Sequence, residues 1–137
     1  MRSDPRKTAD VRAWLERASE DLRSAEILLG AESAQPAPAV FHCQQTAEKA
    51  YKAFLAWHDV PFRKTHELEE LGRACCALDG SLGEIARRAM ELTPYAWRFR
   101  YPGDATAPSE QETETAFMLA REVYDAILSR LPGVARP

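Results

Sequence analysis

Cysteine is scarce in this 137-residue chain, which holds only Cys43, Cys75 and Cys76. Their number is odd, two are adjacent and no C-x-x-C pair occurs. An even disulfide framework or a zinc knuckle is therefore not expected, and a reducing compartment, the cytoplasm, fits best. Cys43 and Cys75 fall on apolar helical stripes and read as small core residues. His42, His58 and His66 are well separated and match no zinc spacing, so neither metal nor cofactor is expected. Long apolar runs are missing too: no stretch approaches a membrane span of roughly 20 residues. The opening MRSDPRKTAD lacks the apolar core of a signal peptide. No segment alternates apolar and polar residues with β-branched enrichment, which excludes a sheet. No P-loop, dinucleotide fingerprint or Gly-x-Ser-x-Gly elbow occurs, so independent nucleotide hydrolysis is not suggested. Neither sign of charge dominates. The net charge of −3 argues against a surface wholly given to nucleic acid, while leaving room for a local basic patch.

What the chain does have is helical periodicity. From about residue 11 to 29, Val11, Trp14, Leu15, Ala18, Leu22, Ala25, Leu28 and Leu29 form one stripe, with Asp10 as N-cap and Gly30 as stop. Pro36 and Pro38 are expected to block helix before about Ala39. A second helix then runs to His58 or Asp59, ahead of Pro61. Cys43, Ala47, Ala50 and Phe54 mark its apolar side, while His42, Gln45, Lys49 and Lys52 align as a polar stripe opposite. Glu48 stands one turn before Lys52, as an ion-pair partner would. Thr65 caps an expected third helix over 66–78. Ser81 with Glu84, and Ser109 with Glu112, spell capping boxes for helices over 82–92 and 110–131. The expected fold is all-α: an antiparallel up-and-down bundle of four to five helices in a single domain over 11–131, with tails at 1–10 and 132–137. One connection, 93–108, is long. It sets Tyr95, Trp97, Phe99 and Tyr101 among Arg98 and Arg100, then breaks at Pro102 and Gly103.

Four stretches taken together carry a resemblance. Asp21, Leu22, Ala25, Leu28 and Leu29 give a DL-x-x-A-x-x-LL pattern. FHCQQTAEKAYKAFL spans 41–55, KTHEL spans 64–68 and YAWRFRYPGD spans 95–104. In this order and at these separations the chain resembles the HEPN family, in its RYP-bearing branch, over nearly its whole length. The resemblance implies a helical bundle, often a homodimer and often encoded beside a minimal nucleotidyltransferase, some such pairs working as toxin and antitoxin. Many members of the wider family are ribonucleases that share an Arg, four to six intervening residues and a His. This chain departs from that pattern. Lys52 ahead of His58 is the nearest approach, Arg63 lies only three positions before His66, and no histidine follows Arg98 or Arg100.

Arg98 and Arg100 are candidates for bidentate phosphate recognition, with the neighbouring aromatics placed to stack on a base. The alternative is structural, with the rings sealing the bundle and the arginines paired to helix glutamates. His42, Gln45, Lys49 and Lys52 could line a groove facing that loop, and Lys64 and His66 could extend a basic patch; otherwise they form a solvated face or a dimer interface. His58 reads as packed. His66 and Arg100 are the only catalytic candidates, should they meet in space. Tyr101 is a candidate for modification by a nucleotidyltransferase partner, or a packing residue. The leading expectation is a homodimeric module that binds nucleotide or RNA phosphates and acts with that partner. A metal-independent ribonuclease and a purely structural adaptor are the alternatives.

Overall fold

The computed structural model describes residues 4–103 and 107–137. Those residues build five α-helices and no strand: α1 (Pro5–Gly30), α2 (Pro36–Trp57), α3 (Leu68–Leu78), α4 (Gly83–Ala89) and α5 (Glu110–Leu128). Three 3-10 turns, Gly80–Leu82, Met90–Ala96 and Gly133–Ala135, join or extend them. The helical bundle expected from periodicity is what forms.

α2 is the axis of the bundle. It packs most extensively against α1, then α5, with α3 and the Met90–Ala96 turn on its remaining side. α1 and α2 run antiparallel, because partners on α1 recede as α2 advances. His42 meets Asp21, Lys52 meets Trp14, and Trp57 meets Lys7. Ala39, Ala47, Ala50 and Ala53 are fully buried on α2 and let neighbouring helices approach closely. Tyr51, Phe54 and Leu55 fill the space between; burying one such large side chain contributes about 1.5–3 kcal/mol. Cys43 and Cys75 lie in this core as expected, and burial pushes the Cys43 thiol up to about 12.

Several boundaries differ from the sequence reading. α1 begins six residues before the expected Val11, at Pro5, with Asp4 rather than Asp10 as N-cap: the Asp4 side chain accepts from Arg6 N at 2.9 Å. At the other end Gly30 belongs to the helix, which stops at an extended Ala31 (ψ 151°), not at a left-handed glycine. α2 likewise begins at Pro36, because a proline in the first turn lacks only an N–H that would have no helical acceptor. α3 starts at Leu68, since the His66 carbonyl is taken by Gln44 Nε2 from α2 (3.1 Å) and Thr65 Oγ merely accepts from Glu67 N (3.0 Å). The Ser81–Glu84 box does not form. Asp79 accepts from both Ser81 N and Ser81 Oγ, while Glu84 turns to Arg87. The expected fourth helix breaks into a turn, α4 and a second turn holding Pro94, which cannot donate to a helical ladder. The Ser109–Glu112 box does form, in both directions. α5 then ends at Leu128, three residues early, and Leu131 reaches the core from a tightened turn. After it, Ala135 is buried and the Val134 carbonyl accepts from Arg12 of α1.

Candidate functional site

α2 does not present its polar stripe to solvent; most of that stripe is engaged at the seams with α1 and the 58–67 segment. Two clusters result. In the first, Asp21 of α1 accepts from His42 Nδ1 (2.8 Å) through one carboxylate oxygen and from Lys49 Nζ (2.5 Å) through the other. Because the carboxylate can only accept, Nδ1 carries the proton and Nε2 is the nitrogen left to act elsewhere. Asp21 was legible only as part of the family pattern. It sits on the buried stripe between Ala18 and Ala25, spaced three and four, and an acid on an apolar stripe is the signal that marks it.

The second cluster centres on Glu48, another residue the sequence offered only as an ion-pair partner. Its carboxylate accepts from Lys52 Nζ (2.9 Å), His66 Nδ1 (2.7 Å), Gln44 Nε2 (3.1 Å) and Gln45 Nε2 (3.4 Å). Burial pushes this carboxyl up, but the hydrogen bonds from His66, Lys52 and Gln44, with the Lys52 charge, outweigh it and hold it below the usual range. Lys52 is buried with its ammonium 5.6 Å from the Trp14 ring centroid and 5.8 Å from that of Phe62. The expected Glu48–Lys52 pair forms, but Lys52 does not line an open groove: its charge is spent inside, on Glu48 and two aromatic faces. His66 keeps its imidazole largely exposed, at 63%. Lys64 lies exposed in the same segment.

The long connection closes over the N-terminal half of α2. Phe99 holds φ at +68°, a strained value for a bulky residue. The chain turns there, so that the two arginines part company. Arg98 reaches Glu112 of α5 at 3.6 Å, the glutamate partner of the structural alternative, and lies over the Phe99 ring at 4.6 Å. Arg100 instead lies over Phe41 of α2, 4.1 Å from the ring centroid, and donates to the Ala96 carbonyl. Phe41 in turn meets the His42 ring edge-on at 5.6 Å. Arg100, Phe41, His42, Asp21 and Lys49 therefore form one continuous patch. Tyr95 is buried and stacks on Phe99, whereas Trp97 and Tyr101 are 49% and 63% exposed. Asp104, the last residue of the YAWRFRYPGD stretch, lies outside the described residues.

The contacts do not bring His66 to Arg100. His66 is bound to Glu48 and Arg100 to Phe41, seven positions apart on α2 and so about 10 Å along its axis. The histidine whose ring meets the Arg100-covered Phe41 is His42. Lys52 and His58, the nearest approach to the ribonuclease spacing, are engaged separately, His58 by the Phe54 ring at 4.6 Å. His58 is exposed apart from that contact, so the packed reading holds for one face of its ring only. Among the described residues no group of three or more His, Cys, Asp or Glu is placed to hold a metal ion, and no helix is long and apolar enough to cross a membrane.

Neither the curated proteins nor the solved structures contain a match to this chain. A family model does match, that of the HEPN domain, over residues 11–131. That span takes in every helix just described, from the second turn of α1 to the end of α5, and with it both polar clusters on α2, so the chain belongs to the HEPN domain family.

Proposed function

We propose that this HEPN domain protein binds the phosphate of a nucleotide or a single-stranded RNA on the patch formed by Arg100, Phe41, His42 and Lys49. In this reading it acts in the cytoplasm with a minimal nucleotidyltransferase as its partner, in an arrangement of the toxin–antitoxin kind. One observation carries the reading: the Arg100 guanidinium of the RFRYP segment lies against Phe41, next to His42, which shares Asp21 with Lys49. A guanidinium gives two parallel donors to a phosphate, and an ammonium and an imidazole nearby add charge and a further donor. Trp97 and Tyr101, both exposed, offer faces on which a base can stack. Arg98 pairs with Glu112, and His66 and Gln45 bond to Glu48 with Lys64 exposed in the same segment as His66, so in this reading these residues stand outside the contact set. Lys52, spent on Glu48, takes no part in the contact. Tyr101, exposed in the same loop, is the hydroxyl a nucleotidyltransferase partner would modify.

The test is a titration of the full chain with a nucleotide panel and a short single-stranded RNA at low salt. Binding is expected to weaken about tenfold or more in Arg100→Ala, which removes a charge-assisted pair. No binding to any member of the panel would end the ligand half of the reading. Affinity capture from the host, with intact mass of the bait, tests the other half: a small nucleotidyltransferase is expected among the captured proteins. A homodimer is part of the same reading, checked by light scattering. Variants at Lys49 and Arg100 that change assembly while leaving ligand response intact would favour the adaptor instead.

A second reading, metal-independent RNA cleavage, draws support from the Asp21–His42 pair. A carboxylate that fixes the tautomer of an imidazole, with an arginine held on the adjoining Phe41 ring, supplies the parts of a general base and a phosphate-stabilising cation. It calls for RNA cleavage in EDTA that is lost in His42→Ala and Arg100→Ala and retained in His66→Ala. RNA left intact by the wild-type protein removes it.

A further inference from the structure

A separate concavity lies between α3 and α4. Gly72, Cys76, Ala86 and Met90 form its walls, Arg73 and Arg87 stand beside them, and it encloses about 250 Å³. Its lining is chiefly apolar, a volume suited to a compound built on a single ring.

Beneath that lining is an oddity of the core. Tyr51 is 1% exposed, yet its hydroxyl has no hydrogen-bond partner among the described residues. Buried polar groups are nearly always paired, so an orphan hydroxyl marks a place where a partner is missing. Gly72 locates it. A Cβ on Gly72 would stand 3.3 Å from Ala86 Cβ and 3.6 Å from the Tyr51 hydroxyl oxygen, and Gly72 and Ala86 both line the concavity. The hydroxyl therefore sits just under the pocket floor. Burial pushes the phenol above its ordinary range, which keeps it a donor. Met90, unbranched and 41% exposed, lines the same concavity.

We propose that this pocket binds a small, mostly apolar carboxylic acid carrying a carbonyl group at its inner end. The Tyr51 hydroxyl donates to that carbonyl, Gly72, Cys76 and Ala86 cover the hydrocarbon, and Arg73 or Arg87 meets the carboxylate at the mouth. Among the described residues both arginines are held by exposed pairs within their own helices, Arg73 with Glu69 and Arg87 with Glu84. Such pairs exchange for a ligand carboxylate at little cost. The lining comes from α3, α4 and the turn after it, and the site shares with the phosphate patch only α2, through Tyr51; different probes test the two separately.

The test uses the full chain, labelled with nitrogen-15, and two probes: 4-acetylbenzoate, which has the inner carbonyl, and 4-ethylbenzoate, which has the same outline without it. The acetyl probe is expected to shift the amide signals of Gly72, Cys76, Gly83 and Ala86 saturably and to bind about tenfold more tightly than the ethyl probe. Tyr51→Phe is expected to erase that preference, and the double variant Arg73→Gln, Arg87→Gln, which alters only exposed side chains, to weaken both probes. No saturable shift at these amides with millimolar probe overturns the proposal. So does a preference for the acetyl probe that survives in Tyr51→Phe, or affinity unchanged in the double arginine variant.

Discussion

At the scale of single residues, Glu48 is the acceptor on which the polar seam converges, drawing donors from Lys52, His66, Gln44 and Gln45. Removing one member of a buried pair strands the other without compensation. Lys52→Met is therefore expected to lower the unfolding free energy by about 3–5 kcal/mol, whereas the double variant Glu48→Gln, Lys52→Met should lose less than the single one. Urea midpoints at constant m-value check both. The same carboxyl predicts an acid limb. Its pKa in the folded protein is held below the ordinary 4.5, so the unfolded chain takes up the proton first. Its contribution is complete above the unfolded value and is lost as pH falls through the lower folded one. Urea midpoints measured from about pH 7 down to about pH 3 should fall on the acid side, and less steeply in Glu48→Gln.

At the scale of elements, helix starts are decided by competition for one or two side chains. Ser109 and Glu112 cap α5 reciprocally, and Ser109→Ala is expected to cost about 1 kcal/mol. Ser81 and Glu84 have the same spacing, but Asp79 lies two residues upstream, accepts from Ser81 N and Ser81 Oγ, and is held from a distance by Arg130 at 3.0 Å. Asp79→Ala is accordingly expected to destabilise more than Ser81→Ala in thermal unfolding, the reverse of the ranking a Ser–Glu capping box would give. The contrast shows what a short pattern can carry. A box is local and legible when nothing nearby competes; an arginine arriving from 49 residues beyond Ser81 is not written in the tetrapeptide.

At the scale of the whole molecule, the chain closes on itself through its last residues. Ala135 is buried, the Val134 carbonyl accepts from Arg12 of α1, and Arg136 donates back to the Leu131 carbonyl. Deleting residues 133–137 uncovers a strip of α1 and is expected to cost about 1–2 kcal/mol, read as a lowered Tm. α2, packed by α1, α3, α5 and the Met90–Ala96 turn, tolerates Gln44, Glu48 and Lys52 because they bond one another along the helix and to His66 across a seam.

Apolar spacing alone determined that this chain would be a helical bundle and which helices it would contain, because a period near 3.6 leaves each helix one face to bury. Cys43 and Cys75 were fixed in the core by that argument. Composition and pattern also gave the residues of the RFRYP connection, though not their partners. Only the tertiary structure decided that the α2 stripe turns inward, that Lys52 is spent on Glu48, that Arg100 lies over Phe41, away from His66, and that the Tyr51 hydroxyl finds no partner among the described residues. Periodicity reports which side of a helix is apolar. It does not report how many neighbours that helix will have, and a polar stripe on a central helix meets side chains dozens of residues away instead of water.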